Sequence, residues 1–300
     1  MADNNTFAKL GLFFSSRFSI LAGKIAPGWA NSRIDSLLFI PKAEPDKPVR
    51  IPKEFIQRMI NTVDGEINSY QTGKGPTVVF VHGWGGSASQ FFPLMRGLAR
   101  CGFTAFAFDH IGHGASTEKS ATLHQSILTT NHILNLIKNK SGDGLCAVLG
   151  HSTGCITIAN SRPALIKDIP LFLISPIFNY KLFFVKKLIK LDLHPDLLKK
   201  YAARFSKVYA REYQKLELAR NLASYGDVTV IAHDESDSES PISASQKFCQ
   251  KYPLTKLMVT REYGHNRIIN SESVWHELKS HLNYEDTTIN FSQTILKNQP

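Results

Sequence analysis

The sequence predicts an α/β fold: a mostly parallel sheet covered by helices on both faces and interrupted by one helical insertion. Three observations carry that reading. From Thr77 onward, short apolar runs alternate with longer helix-compatible stretches, as expected of a parallel sheet whose strands are buried on both sides. Between Ser175 and Asp227 this rhythm stops for about fifty residues, against about 4 to 6 for an ordinary loop. Finally, Gly150-His151-Ser152-Thr153-Gly154 separates the apolar run Cys146 to Leu149 from a helix-compatible segment, Cys155 to Asn160.

The elements follow in chain order. Phe7, Leu10, Phe14, Phe18, Leu21 and Ile25 recur at three- and four-residue steps and describe one apolar face of an N-terminal helix. Asp3 and Arg17 spoil a secretory leader there. Pro41, Pro45, Pro48 and Pro52 mark a stiff, nonhelical connector, because proline fixes φ and lacks an N–H. Val63 to Gln71 alternates like a solvated hairpin turning at Asp64-Gly65 on one edge of the sheet. Strands buried on both faces are expected at Thr77 to Val81, Thr104 to Phe108, Cys146 to Leu149, Leu171 to Ile174, Val228 to Ala232 and Lys256 to Val259. Helical spacing marks Ala88 to Arg100 and the stretch holding Ile127, Ile133, Leu134 and Ile137, with late helices near Ala244 and Val274.

Inside the insertion, Leu198, Tyr201, Phe205, Val208, Tyr209, Tyr213 and Leu216 form an apolar stripe, with Lys199, Arg204, Lys207 and Arg211 interleaved. It leaves the carboxyl end of a strand, where open α/β sheets bind ligands, so a lid bordering the substrate is expected. The organisation is then an extension over 1–50, a core over 51–175 and 226–300, and a helical lid over 176–225.

Three hundred residues, 43% of them hydrophobic, suffice for one large core. Cys101, Cys146, Cys155 and Cys249 have no C-x-x-C spacing, which argues against disulfides and a zinc site. His110 and His113 lie near Asp109 but with no further ligand spacing, so no metal is expected. No apolar run reaches the roughly 18 residues that span a bilayer, and cytoplasmic residence is expected from the missing signals. Of the net charge of +10, Pro176 to Tyr225 holds eleven Lys or Arg against four acids. Such a surface suits a solvated helix face or weak association with an anionic membrane, while no nucleic-acid motif accompanies it.

The pentapeptide reads as a nucleophile elbow, in which Ser152 occupies a sharp strand-to-helix turn and glycines keep that turn free of Cβ clashes. A serine hydroxyl is a poor nucleophile near neutral pH, so a histidine must take its proton and a carboxylate must orient that histidine. His265 follows the last expected strand in Tyr263-Gly264-His265-Asn266, at a loop position. The acidic loop His233-Asp234-Glu235-Ser236-Asp237 follows the strand Val228 to Ala232. Asp237 is chosen because the carboxylate is needed at the loop's inner turn rather than just off the strand, with Asp234 as the alternative. His82-Gly83-Trp84-Gly85-Gly86 provides a glycine-rich loop whose backbone amides can hold a tetrahedral intermediate's oxygen. The expected donors are the amides of Trp84 and Thr153.

These ordered motifs resemble the α/β-hydrolase superfamily over about Val63 to Tyr284. His82-Gly83-Trp84-Gly85 resembles its oxyanion loop, Asp109 to Ser116 its D-x-x-G-x-G-x-S stretch, Gly150 to Gly154 its elbow, and Gly264-His265 its terminal histidine motif. In the acid loop His233, Asp237 and Pro241 match the family's H-G-x-x-D pattern and following proline, but Asp234 stands where the family has glycine. The resemblance implies an α/β-hydrolase fold with structural roles only for Asp109 and His113. Relatives with dehalogenase or epoxide hydrolase chemistry carry aspartate at the elbow, which Ser152 argues against.

The expectation is a serine hydrolase that cleaves a carboxylic ester or thioester through an acyl-Ser152 intermediate, acting on a small-molecule ester or acyl substrate without metal or organic cofactor. Amidase, acyltransferase and cofactor-free perhydrolase chemistry share the same triad, and a hydrolase-fold binding protein without turnover is the alternative from a different class.

Overall fold

The computed structural model describes residues 40–41, 50–139, 144–189, 195–196, 198–203, 216, 218–223, 225 and 229–282. The expected N-terminal apolar face, Phe7 to Ile25, and the stripe from Phe205 to Tyr213 lie outside these residues. The chain divides into two compact units, Met1–Ile40 with Asn179–Leu216 and Pro41–Phe178 with Glu217–Pro300.

Among the described residues eight strands form one sheet: β1 (Ile56–Thr62), β2 (Gly65–Thr72), β3 (Thr77–Val81), β4 (Thr104–Phe108), β5 (Leu145–His151), β6 (Leu171–Ile174), β7 (Thr229–Asp234) and β8 (Lys256–Thr260). Their spatial order is β1-β2-β4-β3-β5-β6-β7-β8. Pairing is parallel from β4 to β8, and β1 and β2 join antiparallel at one edge. The helices are α1 (Phe92–Arg100), α2 (Leu123–Lys138), α3 (Thr153–Ala159), α4 (Pro163–Ile166), α5 (Tyr180–Ile189), α6 (Leu218–Leu222), α7 (Ile242–Lys251), α8 (Gly264–Arg267) and α9 (Glu272–His281).

The period of two along each strand sorts its side chains onto two cores. Val78 and Phe80 of β3 face one cluster with Leu94, Met95 and Leu98 of α1 and Val274, Trp275 and Leu278 of α9. Val79 and Val81 face the other, with Ile133, Leu134 and Ile137 of α2, Ile158 of α3 and Phe248 of α7. Both faces are thereby buried, which is why the strands read as continuous apolar runs. Local chemistry sets the helix starts. Thr122 caps α2 in a reciprocal box with Gln125, and the Ser271 hydroxyl accepts from Val274 N at the start of α9. Gly97 lets α1 and α9 touch: a Cβ there would lie 2.7 Å from the Trp275 ring.

Three expectations need correction. The hairpin turns at Val63-Asp64, with Thr62 opposite Gly65, but only β1 is solvated. β2 pairs with β4 on its other side, and its Ile67 to Tyr70 are buried. The last strand, β8, is not buried on both faces, because it is the opposite edge and has β7 as its sole partner among the described residues. The helix expected over Ala88 to Arg100 is two pieces, a 3-10 turn over Ala88–Phe91 and then α1, with Pro93 in the first turn of α1.

In the other unit, α5 begins where the Asn179 Oδ1 accepts from Leu182 N at 2.8 Å, and Tyr180, Phe183, Phe184 and Leu188 are buried. Residues 198–203 are also helical, with Tyr201 buried. Among the described residues no helix is long and apolar enough to cross a membrane, and all four cysteines are free thiols.

Candidate active site

Parallel strands place their carboxyl ends on one edge of the sheet, and the predicted site residues follow β3, β5, β7 and β8 there. Ser152 stands between β5 and α3 at φ 55° and ψ −121°. For a residue with a Cβ this backbone conformation costs about 1–3 kcal/mol, so the surroundings must hold it. They do so through backbone bonds: Ser152 N–H donates to the Ile174 carbonyl of β6 at 3.0 Å, and the Ser152 carbonyl accepts from Cys155 N at 3.2 Å. The flanking glycines are required by space. A Cβ at Gly154 would lie 2.3 Å from the Val81 carbonyl, and one at Gly150 would lie 2.6 Å from Ile158 Cδ1.

The structure brings Ser152, His265 and Asp237 into one hydrogen-bonded line. His265 Nε2 is 2.8 Å from Ser152 Oγ, and His265 Nδ1 is 2.7 Å from Asp237 Oδ2. His265 lies in the one-turn helix α8 rather than in a loop. Because a carboxylate only accepts, Nδ1 carries the proton and Nε2 is the atom free to take one from Ser152.

Asp237 is nearly buried and fully partnered. Its Oδ1 accepts from Glu239 N at 2.9 Å and Ser240 N at 2.8 Å, and its Oδ2 also lies 3.3 Å from His233 Nε2. Burial pushes this carboxyl's pKa up, but the hydrogen bonds from His233 and His265 outweigh burial and hold it well below the usual carboxylate range. His233 is itself fully buried, with Nε2 2.9 Å from the Ser240 carbonyl and Nδ1 2.7 Å from Ser245 Oγ.

Asp234 does not touch His265's ring. Its Oδ1 accepts from Ser236 N, Ser236 Oγ and Gly264 N at 3.0, 2.5 and 2.9 Å, and its Oδ2 from Thr260 Oγ1 and Tyr263 N at 2.7 and 3.1 Å. Against burial, these donors hold its carboxyl well below the usual range. Asp234 therefore staples the acid loop to the segment that delivers His265. His151 makes a second tether: its Nε2–H donates to the His265 carbonyl at 2.9 Å, and burial pushes its pKa down to about 3, which keeps it neutral.

On the other side of Ser152 lies the glycine loop after β3. A Cβ on Gly83 would sit 2.7 Å from Ser152 Cβ, so only glycine lets this backbone approach the nucleophile. His82 fixes the loop through Nδ1–H donating to the Gly83 carbonyl at 2.8 Å and Nε2 accepting from His110 N at 3.0 Å. Burial brings His82 down to about 4 and His110 well below its ordinary value. Asp109 accepts from Ala88 N at 2.7 Å and Ala115 N at 2.9 Å, and His113 bonds the Ile111 carbonyl at 2.9 Å, both within this scaffold. Among the described residues no three His, Cys, Asp or Glu side chains are grouped so as to hold a metal ion. Trp84 and Thr153 meet, but not as two amides converging on empty space: Trp84 N–H donates to Thr153 Oγ1 at 2.6 Å.

The sequence reading named His233 only as a motif match and passed over His151 and the Thr153 side chain. A histidine closing a buried strand four residues before the chosen acid was the available signal for His233. For the other two there was none, since both contacts join segments 69 or more residues apart.

Residues 76–160 match the family model described as the alpha/beta hydrolase fold. A curated relative, 2-(acetamidomethylene)succinate hydrolase of Mesorhizobium japonicum, is 31% identical over 118 residues, covering 38% of this chain and 41% of that protein. The chain thus spans less than half the length of that relative. Among solved structures, the Pyrococcus furiosus esterase Pf2001 superposes with a TM-score of 0.60 at 20% identity, covering 82% of this chain and 97% of that one. Est1E of Butyrivibrio proteoclasticus, solved with ferulic acid, gives 0.57 at 19% identity, over 75% and 99%.

Proposed function

This chain has the α/β-hydrolase fold, and from that premise we propose that it is a serine hydrolase of carboxylic esters or thioesters, working through an acyl-enzyme on Ser152. The observation that carries the reading is the unbroken line from Ser152 Oγ through His265 to Asp237, at 2.8 and 2.7 Å. As Ser152 Oγ attacks the substrate carbonyl, its proton passes to His265 Nε2. The imidazolium so formed faces the ionised Asp237, which stabilises it. His265 then gives the proton to the leaving alcohol or thiol, and a water activated by the same nitrogen releases the acid. Esterases among the fold neighbours support this substrate class. The insertion over 176–225 serves in this reading as a lid that sets acyl-group preference.

Cleavage of an amide is the second reading, favoured by the relative that hydrolyses an acetamido compound. A fluorophosphonate probe tests for the nucleophile: wild type labels and Ser152→Ala does not, whereas an unlabelled wild type overturns the enzyme reading in favour of a binding protein. Profiling on p-nitrophenyl esters, acyl thioesters and anilides then separates the two readings, since turnover of the anilides alone favours the amide.

A further inference from the structure

Thr153 Oγ1 occupies the acceptor position of the Trp84 amide, at 2.6 Å, across a gap of 69 residues in sequence. An N–H has one proton, so the amide expected to hold a substrate oxygen directly is engaged by a hydroxyl instead. That hydroxyl retains a proton of its own to donate. Thr153 is 4% exposed, and among the described residues its Oγ–H meets no acceptor. A buried donor left unmade is costly, so its partner is to be sought in what binds there. The surroundings say what that is. Thr153 adjoins Ser152 in the chain, and Trp84 adjoins Gly83, whose Cα lies so close to the nucleophile that an added Cβ would be 3.2 Å from Ser152 Oγ.

We propose that the Thr153 hydroxyl is a catalytic donor to the substrate's carbonyl oxygen, so that one residue supplies both oxyanion contacts, N–H and Oγ–H, with Trp84 N–H orienting and polarising the second. The inference rests on the serine-hydrolase reading above. As Ser152 Oγ bonds to the carbonyl carbon, the carbonyl π pair moves onto oxygen and the Ser152 proton goes to His265 Nε2. The Thr153 proton stays on Oγ1 and strengthens its hydrogen bond as negative charge develops. No co-reactant is needed.

The test compares Thr153→Val, which keeps the shape and removes the hydroxyl, with Thr153→Ser, which restores it. On a p-nitrophenyl ester, Thr153→Val lowers kcat about 100-fold with KM changed less than about threefold, the size expected for one lost oxyanion donor. Thr153→Ser recovers most of the loss, and affinity for a trifluoromethyl ketone analogue falls in parallel with kcat. If Thr153→Val fails to fold, Thr153→Ala is read in the same assays. Wild-type activity retained in a folded, hydroxyl-free variant overturns the proposal, and increased activity shows the hydroxyl to be a plug that substrate must displace. A wild type that neither labels with fluorophosphonate nor turns over esters removes the underlying hydrolase reading, and the proposal with it. A labelled wild type with an unaffected Thr153→Val removes only the Thr153 role.

Discussion

The two sides of Ser152 are built on opposite electrostatics. On the His265 side, Asp234 and Asp237 are buried carboxylates held ionised by four or five donors each. On the glycine-loop side desolvation dominates instead: His82 and His110 are buried imidazoles held neutral, and burial raises the pKa of the Asp109 carboxyl. The difference matches the charge that develops in the proposed reaction. A permanent negative charge belongs beside the histidine that becomes an imidazolium. Beside the oxygen that becomes negative, neutral dipoles suffice, and a charge buried there would carry a heavy desolvation penalty. The lesson is that a buried ionisable group is put to use in its charged form only where enough donors surround it.

The largest effect should separate the two carboxylates from each other. Asp237→Asn removes the acceptor that sets the His265 tautomer, and kcat is expected to fall by about 10⁴-fold with the fold intact. Asp234→Gly, which installs the residue of the family pattern, leaves the donors of Thr260, Tyr263 and Gly264 unpaired instead. It is expected to cost about 2–3 kcal/mol of stability and about tenfold in kcat, because His265 is placed less well rather than lost. Steady-state kinetics and chemical denaturation on both variants check the ranking. If Asp234→Gly proves as damaging to kcat as Asp237→Asn, Asp234 belongs to the proton relay and the comparison breaks.

The third effect is a pH dependence of stability that the buried histidines and the buried carboxylates should divide between them. In the unfolded chain histidines protonate near about 6.5, whereas folded His82 stays neutral to about 4 and His151 to about 3. Between those values the unfolded chain binds more protons, so stability is complete above about pH 6.5 and falls as pH drops through that window. The depressed carboxylates act in the same direction but lower down: their stabilisation is present above about pH 4 and is lost only as pH falls through their folded values. Tm is therefore expected to decline from pH 6.5 to 4.5, with a shallower slope in His151→Gln. A Tm unchanged from pH 7.5 to 4.5 contradicts this assignment of neutral histidines.

Much of this was legible because it is local or periodic. β3, β4 and β6 fall on the expected runs, since a strand buried on both faces leaves a compact apolar signature. Ser152 and its glycines are one contiguous turn, and their spacing states the steric problem they solve. The edge strand β8 misled because an apolar run does not say how many neighbours a strand has. The preference for Asp237 over Asp234 rested on where in the loop a carboxylate was needed, and the structure adds that Asp234's lone pairs are already filled.

The sequence by itself determined the alternation of strand and helix, the elbow at Ser152 and the order in which acid and histidine follow it, because each is written in neighbouring residues or in a short period. Only the tertiary structure decided that His151 and Asp234 hold His265 and that Trp84's amide meets a hydroxyl rather than open space. Those are contacts between segments brought to one edge of the sheet by parallel pairing. Such contacts depend on distances of a few tenths of an ångström, which no spacing along the chain encodes.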